Sequence, residues 1–185
     1  MDKNKQELTN LKNMNITELF SNKELKPKAK TETLSGWLLD NKINADEVTT
    51  FAQTAKDPVK ASCIEALEFA TKQKPSIVNK KIFQFVTQSL TDKAPRVKWE
   101  SARVIANVAG LFPDKLDETI KNLLTNSEHT GTVVRWSAAL ALGEILKLKT
   151  KYNKEIMPAI EAICDWEEKN SIKKIYLDAI KKANR

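Results

Sequence analysis

The stretch RVKWESARVIANVAG, Arg96 to Gly110, nearly recurs as VRWSAALALGEI, Val134 to Ile145. Laying Val97-Lys98-Trp99 over Val134-Arg135-Trp136 brings Ala102 onto Ala139, Ile105 onto Leu142, Ala106 onto Gly143 and Val108 onto Ile145, an offset of 37 residues. A step of 38 back from Val97 lands on Val59-Lys60, followed by Ile64, Ala66 and Leu67. A step of 38 forward from Val134 lands on Ile172-Lys173, followed by Leu177, Ala179 and Ile180. A weaker fifth copy lies in AKTETLSGWLLD, where Leu34 and Trp37 take the places of Ile64 and Leu67 at an offset of 30. Self-similarity at such a period marks a repeat array, whose units cannot bury their apolar faces alone and stack to do so.

Each unit is expected to hold a second helix. Pro75 opens one with Val78, Ile82, Phe85 and Val86 at helical spacing, and Pro113 opens another with Leu116, Ile120, Leu123 and Leu124 on one face. A third runs from Tyr152 through Ile156, Ile160 and Ile163 with Pro158 inside, which should bend it, and a fourth spans Asp46 to Ala55. Gly110 fits a C-cap. On the Arg96–Ala109 helix the polar residues Arg96, Glu100, Arg103 and Asn107 form a narrow stripe, so neighbours must cover most of its circumference. The last helix gathers Ile172, Ile175, Ala179 and Ile180 and turns Lys174, Asp178, Lys181 and Lys182 outward, the pattern of a terminal cap. Asn15 with Glu18 three residues on makes a capping box for a short helix whose Ile16, Leu19 and Phe20 lid the first repeat.

The segments VKASCIEALEFA, VKWESARVIANVA and VRWSAALALGEI, each a Val-Lys/Arg pair followed by small and aliphatic residues, resemble the HEAT-repeat, armadillo-like α-solenoid family from about Pro27 onward. The resemblance implies an all-α, right-handed α-α superhelix of four to five helical hairpins, with the second helices lining the concave face. It also implies a ladder in which an acid six positions before the basic residue pairs with basic residues of adjacent repeats. Asp92 precedes Lys98 by six and Glu167 precedes Lys173 by six, but Thr54 and His129 fill the other two slots, so the ladder of Lys60, Asp92, Lys98, Arg135, Glu167 and Lys173 is expected to be partial. Helical geometry adds that Lys98 and Arg135 fall on the apolar side of their helices, where a cation needs an acid or a helix carbonyl.

Trp99 and Trp136 lie at the border of apolar and polar arcs, each with a small residue seven positions later, Ala106 and Gly143. They are expected either to wedge between repeats beside those small residues or to form an exposed column flanked by Arg96, Arg103 and Lys147. Trp166 is expected either in the core or as a partly exposed anchor, and Glu167-Glu168 reads as a solvated loop.

Composition narrows the function classes. The 185 residues include only four glycines, far too few for the hairpins of a sheet protein of this length. Cys63 and Cys164 stand a hundred residues apart, away from the single His129, so neither a metal site nor a disulfide is expected. The polar N-terminus offers no apolar core for a secretory signal and no apolar run spans a bilayer, so the chain reads as cytoplasmic, with residues 1–14 a flexible tail and 15–185 a single domain. There is no Gly-rich phosphate loop, HExxH or nucleophile elbow, which points away from catalysis and from any cofactor.

The expected function is therefore a non-catalytic scaffold that binds a protein or peptide partner along its concave face, through Lys80, Lys81, Gln84, Gln88, Lys115, Glu118 and Lys121, with Trp99 and Trp136 as further contacts. The net charge of +7 keeps nucleic-acid binding as the alternative. HEAT-like alkylpurine DNA glycosylases have this architecture, but Arg103 and Leu140 follow the two tryptophans by four where a catalytic acid would be needed. A tubulin-binding array of the TOG type places its tryptophan on a turn rather than inside a helix. The sequence says nothing of oligomeric state.

Overall fold

A computed structural model describes residues 15–185, so the expected N-terminal tail lies outside the described residues. Ten α-helices follow one another without a strand among these residues: α1 (Ile16–Ser21), α2 (Pro27–Leu39), α3 (Ala45–Thr54), α4 (Asp57–Gln73), α5 (Lys80–Ser89), α6 (Pro95–Val108), α7 (Asp117–Ser127), α8 (Thr132–Lys147), α9 (Asn153–Trp166) and α10 (Asn170–Ala183). Two layers result. The first helices of the repeats, α2, α4, α6, α8 and α10, pack each on the next along their length, and the second helices, α3, α5, α7 and α9, form the other layer with much sparser contact between neighbours.

The repeat sets the register of the first layer. Val59, Val97, Val134 and Ile172 are each the third residue of their helix. Lys30, Lys60, Lys98, Arg135 and Lys173 are each the fourth, so the weak fifth copy belongs to the same series. Leu34, Ile64, Ala102 and Ala139 are each the eighth and are buried. Small residues let these helices approach: a Cβ on Gly143 of α8 would sit 3.2 Å from Ala179 Cβ and 3.7 Å from Ile175 Cγ2 of α10. Gly143 thus admits the close approach of α10.

Local signals place the ends of the helices. Asn15 and Asn44 each accept from the N3 backbone N–H while Glu18 and Glu47 reach back, two complete capping boxes. Leu19 is fully buried and Phe20 stacks on Phe51 at 5.7 Å between ring centroids, so α1 does cover the first repeat. Pro27 and Pro95 sit at the first position of α2 and α6, where the missing N–H costs nothing. Asn41 and Lys149 adopt the left-handed conformation just past α2 and α8, the usual way of turning a chain out of a helix.

Several expectations are corrected. Gly110 is no C-cap: α6 ends at Val108 and tightens into a 3-10 turn over Ala109–Leu111 without a positive φ. Pro75 likewise opens a 3-10 turn, and α5 begins only after Asn79, whose side chain accepts from Ile82 N–H. Pro113 stands in the connection before α7 rather than opening that helix. Trp166 is 46% exposed rather than in the core, and Glu167 is buried rather than solvated. The outer face of α10 is polar at Lys174, Asp178, Lys181 and Lys182, but it also carries Leu177.

Candidate functional site

On α2, α4, α6 and α8 the side chain of the fourth residue holds a neighbouring element. Lys60 Nζ lies 2.7 Å from Asp92 Oδ2, and Arg135 Nε lies 2.9 Å from Glu167 Oε2. In both pairs the acid belongs to the start of the following repeat. Both acids also accept a backbone N–H, Asp92 from Ala94 and Glu167 from Lys169. Burial by itself raises these carboxyls, but the hydrogen bonds from Lys60 and Ala94, and from Arg135 and Lys169, outweigh it and hold Asp92 and Glu167 below their ordinary values. Where the sequence offers His129 in place of an acid, Lys98 instead donates to Leu90 O at 3.1 Å and Asn126 Oδ1 at 3.3 Å. His129 supports its own turn, with Nδ1 accepting from Gly131 N–H at 2.8 Å.

The polar stripe of α6 is not a solvated face. Arg96 pairs with Glu65 at 2.7 Å, Arg103 with Glu68 at 3.0 Å and Glu100 at 3.3 Å, and Asn107 donates to Glu68 O and Thr71 Oγ1 of α4. Trp99 Nε1 donates to Glu100 Oε1 at 2.8 Å, which ties that half-buried indole into the network. Glu68 and Glu100 are 4% and 3% exposed, and burial pushes both carboxyls up despite Arg103. Trp136, 37% exposed, lies on the first-helix layer of the next repeat, so neither indole belongs to the second-helix face.

The second helices stand far enough apart to leave grooves. Between α5 and α7 a groove of about 380 Å³ is lined by Lys80, Lys81, Phe83, Gln84, Thr87, Lys115 and Glu118. Five of the seven residues expected on this face therefore meet in one place. Lys121 lines the next groove, about 470 Å³ between α7 and α9, with Asp117, Ile120, Leu124, Thr125, Glu128 and Glu155. Gln88 is exposed on α5 outside both. A buried hydrogen bond of 2.8 Å between Thr87 and Thr119 holds α5 against α7 beneath the first groove, and Tyr152 Oη donates to Asp117 at the edge of the second.

The two grooves differ in charge. The first carries Lys80, Lys81 and Lys115 against Glu118, whereas the second carries Asp117, Glu128 and Glu155 against Lys121. Sequence reasoning found the lysines from their outward register but missed Asp117, Glu128 and Glu155, whose convergence depends on how α7 and α9 cross. Phe83 and Thr87 were missed because each is buried on the helix's inner edge and meets the groove only with its rim. Among the described residues no group of three acids, cysteines or histidines is placed to hold a metal, and no helix is long and apolar enough to cross a membrane. Cys63 and Cys164 are free thiols in the core, Cys63 pushed up to about 12 by burial.

No family model matches the chain, and no curated protein matches it. Solved structures do. A designed armadillo repeat protein in complex with the peptide (KR)4 has a TM-score of 0.69 at 16% identity, covering 91% of this chain and 80% of that one. Computationally designed armadillo repeat proteins for modular peptide recognition reach 0.69 at 16% identity, over 83% and 73% of the two chains. The complex of CpcE and CpcF of phycocyanin lyase from Nostoc sp. PCC7120 reaches 0.66 at 17% identity, over 89% and 95%. At such identities the likeness concerns the backbone: the chain is a helical repeat protein with the armadillo/HEAT-like α-solenoid fold.

Proposed function

We propose that the chain is a non-catalytic scaffold that holds an extended segment of a protein partner across its second-helix layer. The observation that carries this reading is the pair of adjacent grooves of opposite charge, whose charged side chains are exposed on the second-helix layer. A peptide laid across α5, α7 and α9 would place acidic side chains over Lys80, Lys81 and Lys115 and basic ones over Asp117, Glu128 and Glu155. Second helices spaced by about 10 Å match about three residues of extended chain, so the two charge blocks of such a partner would be near neighbours in sequence. That a designed relative in fold carries a peptide is consistent with this use of the architecture.

The acids of the second groove weigh against a nucleic-acid backbone, which would meet like charge one repeat away from the lysines. Two separate buried thiols suit a reducing compartment, and we place the chain in the cytoplasm on that ground. The test is affinity capture from the native host, with and without nuclease, using the natural chain and a Lys81→Glu/Lys115→Glu chain in parallel. A protein that survives nuclease and is lost from the variant supports the reading. A partner held equally by both chains, or released by nuclease, contradicts it.

A further inference from the structure

Four of the five first helices agree at a position where the fifth does not. Their eighth residues, Leu34, Ile64, Ala102 and Ala139, are 0 or 1% exposed, whereas Leu177 at the same place on α10 is 49% exposed. The fourth residues show the same break. Lys60 and Arg135 reach Asp92 and Glu167, each standing three residues before the first helix of the following repeat. Lys173 occupies that position on α10, and its side chain makes no ion pair or hydrogen bond among the described residues. At its fourth and eighth positions α10 presents the features of a helix on which another repeat stacks, while Lys181 stands where Gly143 stands on α8.

The opposite end of the array is complementary. Glu24 stands three residues before Pro27, as Asp92 stands before Pro95 and Glu167 before Asn170, and its carboxylate has no partner among the described residues. The short helix α1 behaves as a second helix: Lys30 Nζ donates to Phe20 O at its C-terminal end, 2.8 Å, as Lys98 Nζ donates to Leu90 O just past the end of α5, 3.1 Å. The tenth residue of α10, Ala179, is the one that touches the preceding first helix at Gly143. The tenth residue of α2 is Gly36, where an added Cβ would meet nothing within 4 Å. Among the described residues α1 thus sits against α2 as a second helix, and α10 exposes the face on which the other first helices carry a neighbour.

We propose that the α10 end of one chain stacks on the α1–α2 end of a second copy, so that α10 and the second copy's α1 form one composite hairpin, with Leu177 buried between them and Lys173 paired with Glu24 of the partner subunit. The pairing reproduces the geometry that Lys60–Asp92 and Arg135–Glu167 already show inside the chain. Such a contact joins two different surfaces, so it propagates head to tail into rings or open strings rather than stopping at a symmetric dimer.

Sedimentation velocity on the full chain tests this at concentrations up to about 1 mM, where even weak association is populated. The natural chain is expected to show a weight-average mass that climbs with concentration beyond that of one chain. Lys173→Glu and Glu24→Lys should each weaken association about tenfold or more, since each sets like charges face to face. An equimolar mixture of the two variants should associate again, because each junction in it can pair opposite charges. Leu177→Asp should abolish association with the thermal melt unchanged, as the residue is already half in solvent. A natural chain that stays monomeric, or variants that associate like it, would overturn the proposal. So would a mixture no better associated than its components.

Discussion

The two layers of this molecule solve the same stacking problem with different chemistry. First helices meet through small residues and keep their charges in fixed pairs, several nearly buried, such as Arg135 with Glu167. Second helices meet sparsely, leave grooves and hold their charges in solvent. Charge in the first layer therefore bears on stability, and charge in the second layer is free to bear on binding.

The sharpest way to break that contrast is Arg135→Ala. It strands Glu167, whose side chain is 2% exposed, and should cost about 3 kcal/mol in urea denaturation. A loss below about 1 kcal/mol would mean that the ladder is ornamental. Next come two glycines of the same layer. Gly143→Val drives a branched side chain into Ala179 and should destabilise by about 2 kcal/mol, whereas Gly36→Ala enters open space in a helix interior and should stabilise by about 0.5 to 1 kcal/mol. Equal effects at both would refute the difference in packing inferred for them.

The buried acids separate by pH. Asp92 and Glu167, held low, contribute stability that is present above the ordinary carboxylate range and is lost as pH falls through their folded values. Glu68 and Glu100, held high by burial, act oppositely: the folded chain keeps their protons longer, so stability declines as pH rises from the ordinary range through their folded values. Glu68→Gln should remove part of that decline, read from urea midpoints between pH 4 and 8. The smallest effect belongs to the second layer. Lys81→Glu/Lys115→Glu should shift stability by no more than about 0.5 kcal/mol, because both lysines are exposed.

Much of the fold was legible because every first helix meets the same surroundings. Val97 over Val134 at 37 residues, and the basic residue beside each, recur for one steric and electrostatic reason, and the structure puts them at one register. The second helices were harder to delimit. Pro75 and Pro113 read as helix starts but begin a 3-10 turn and a connection, while the true signals were Asn79 and, for α3, the capping box of Asn44 with Glu47. The stripe Arg96, Glu100, Arg103 and Asn107 is visible as a stripe, but that Glu65, Glu68 and Thr71 lie opposite it follows only from how α4 and α6 cross. The grooves were half legible for the same reason: outward register identifies Lys80, Lys81 and Lys115, while the acids that distinguish the second groove converge from two helices.

The central claim is that the grooved layer is where a partner lies. Amide hydrogen exchange on the chain, alone and saturated with the captured protein, tests it directly. Protection concentrated in residues 80–89, 117–127 and 153–166 is the predicted result. Protection centred on Trp99 and Trp136 in the first layer, with the second helices exchanging as before, would contradict it.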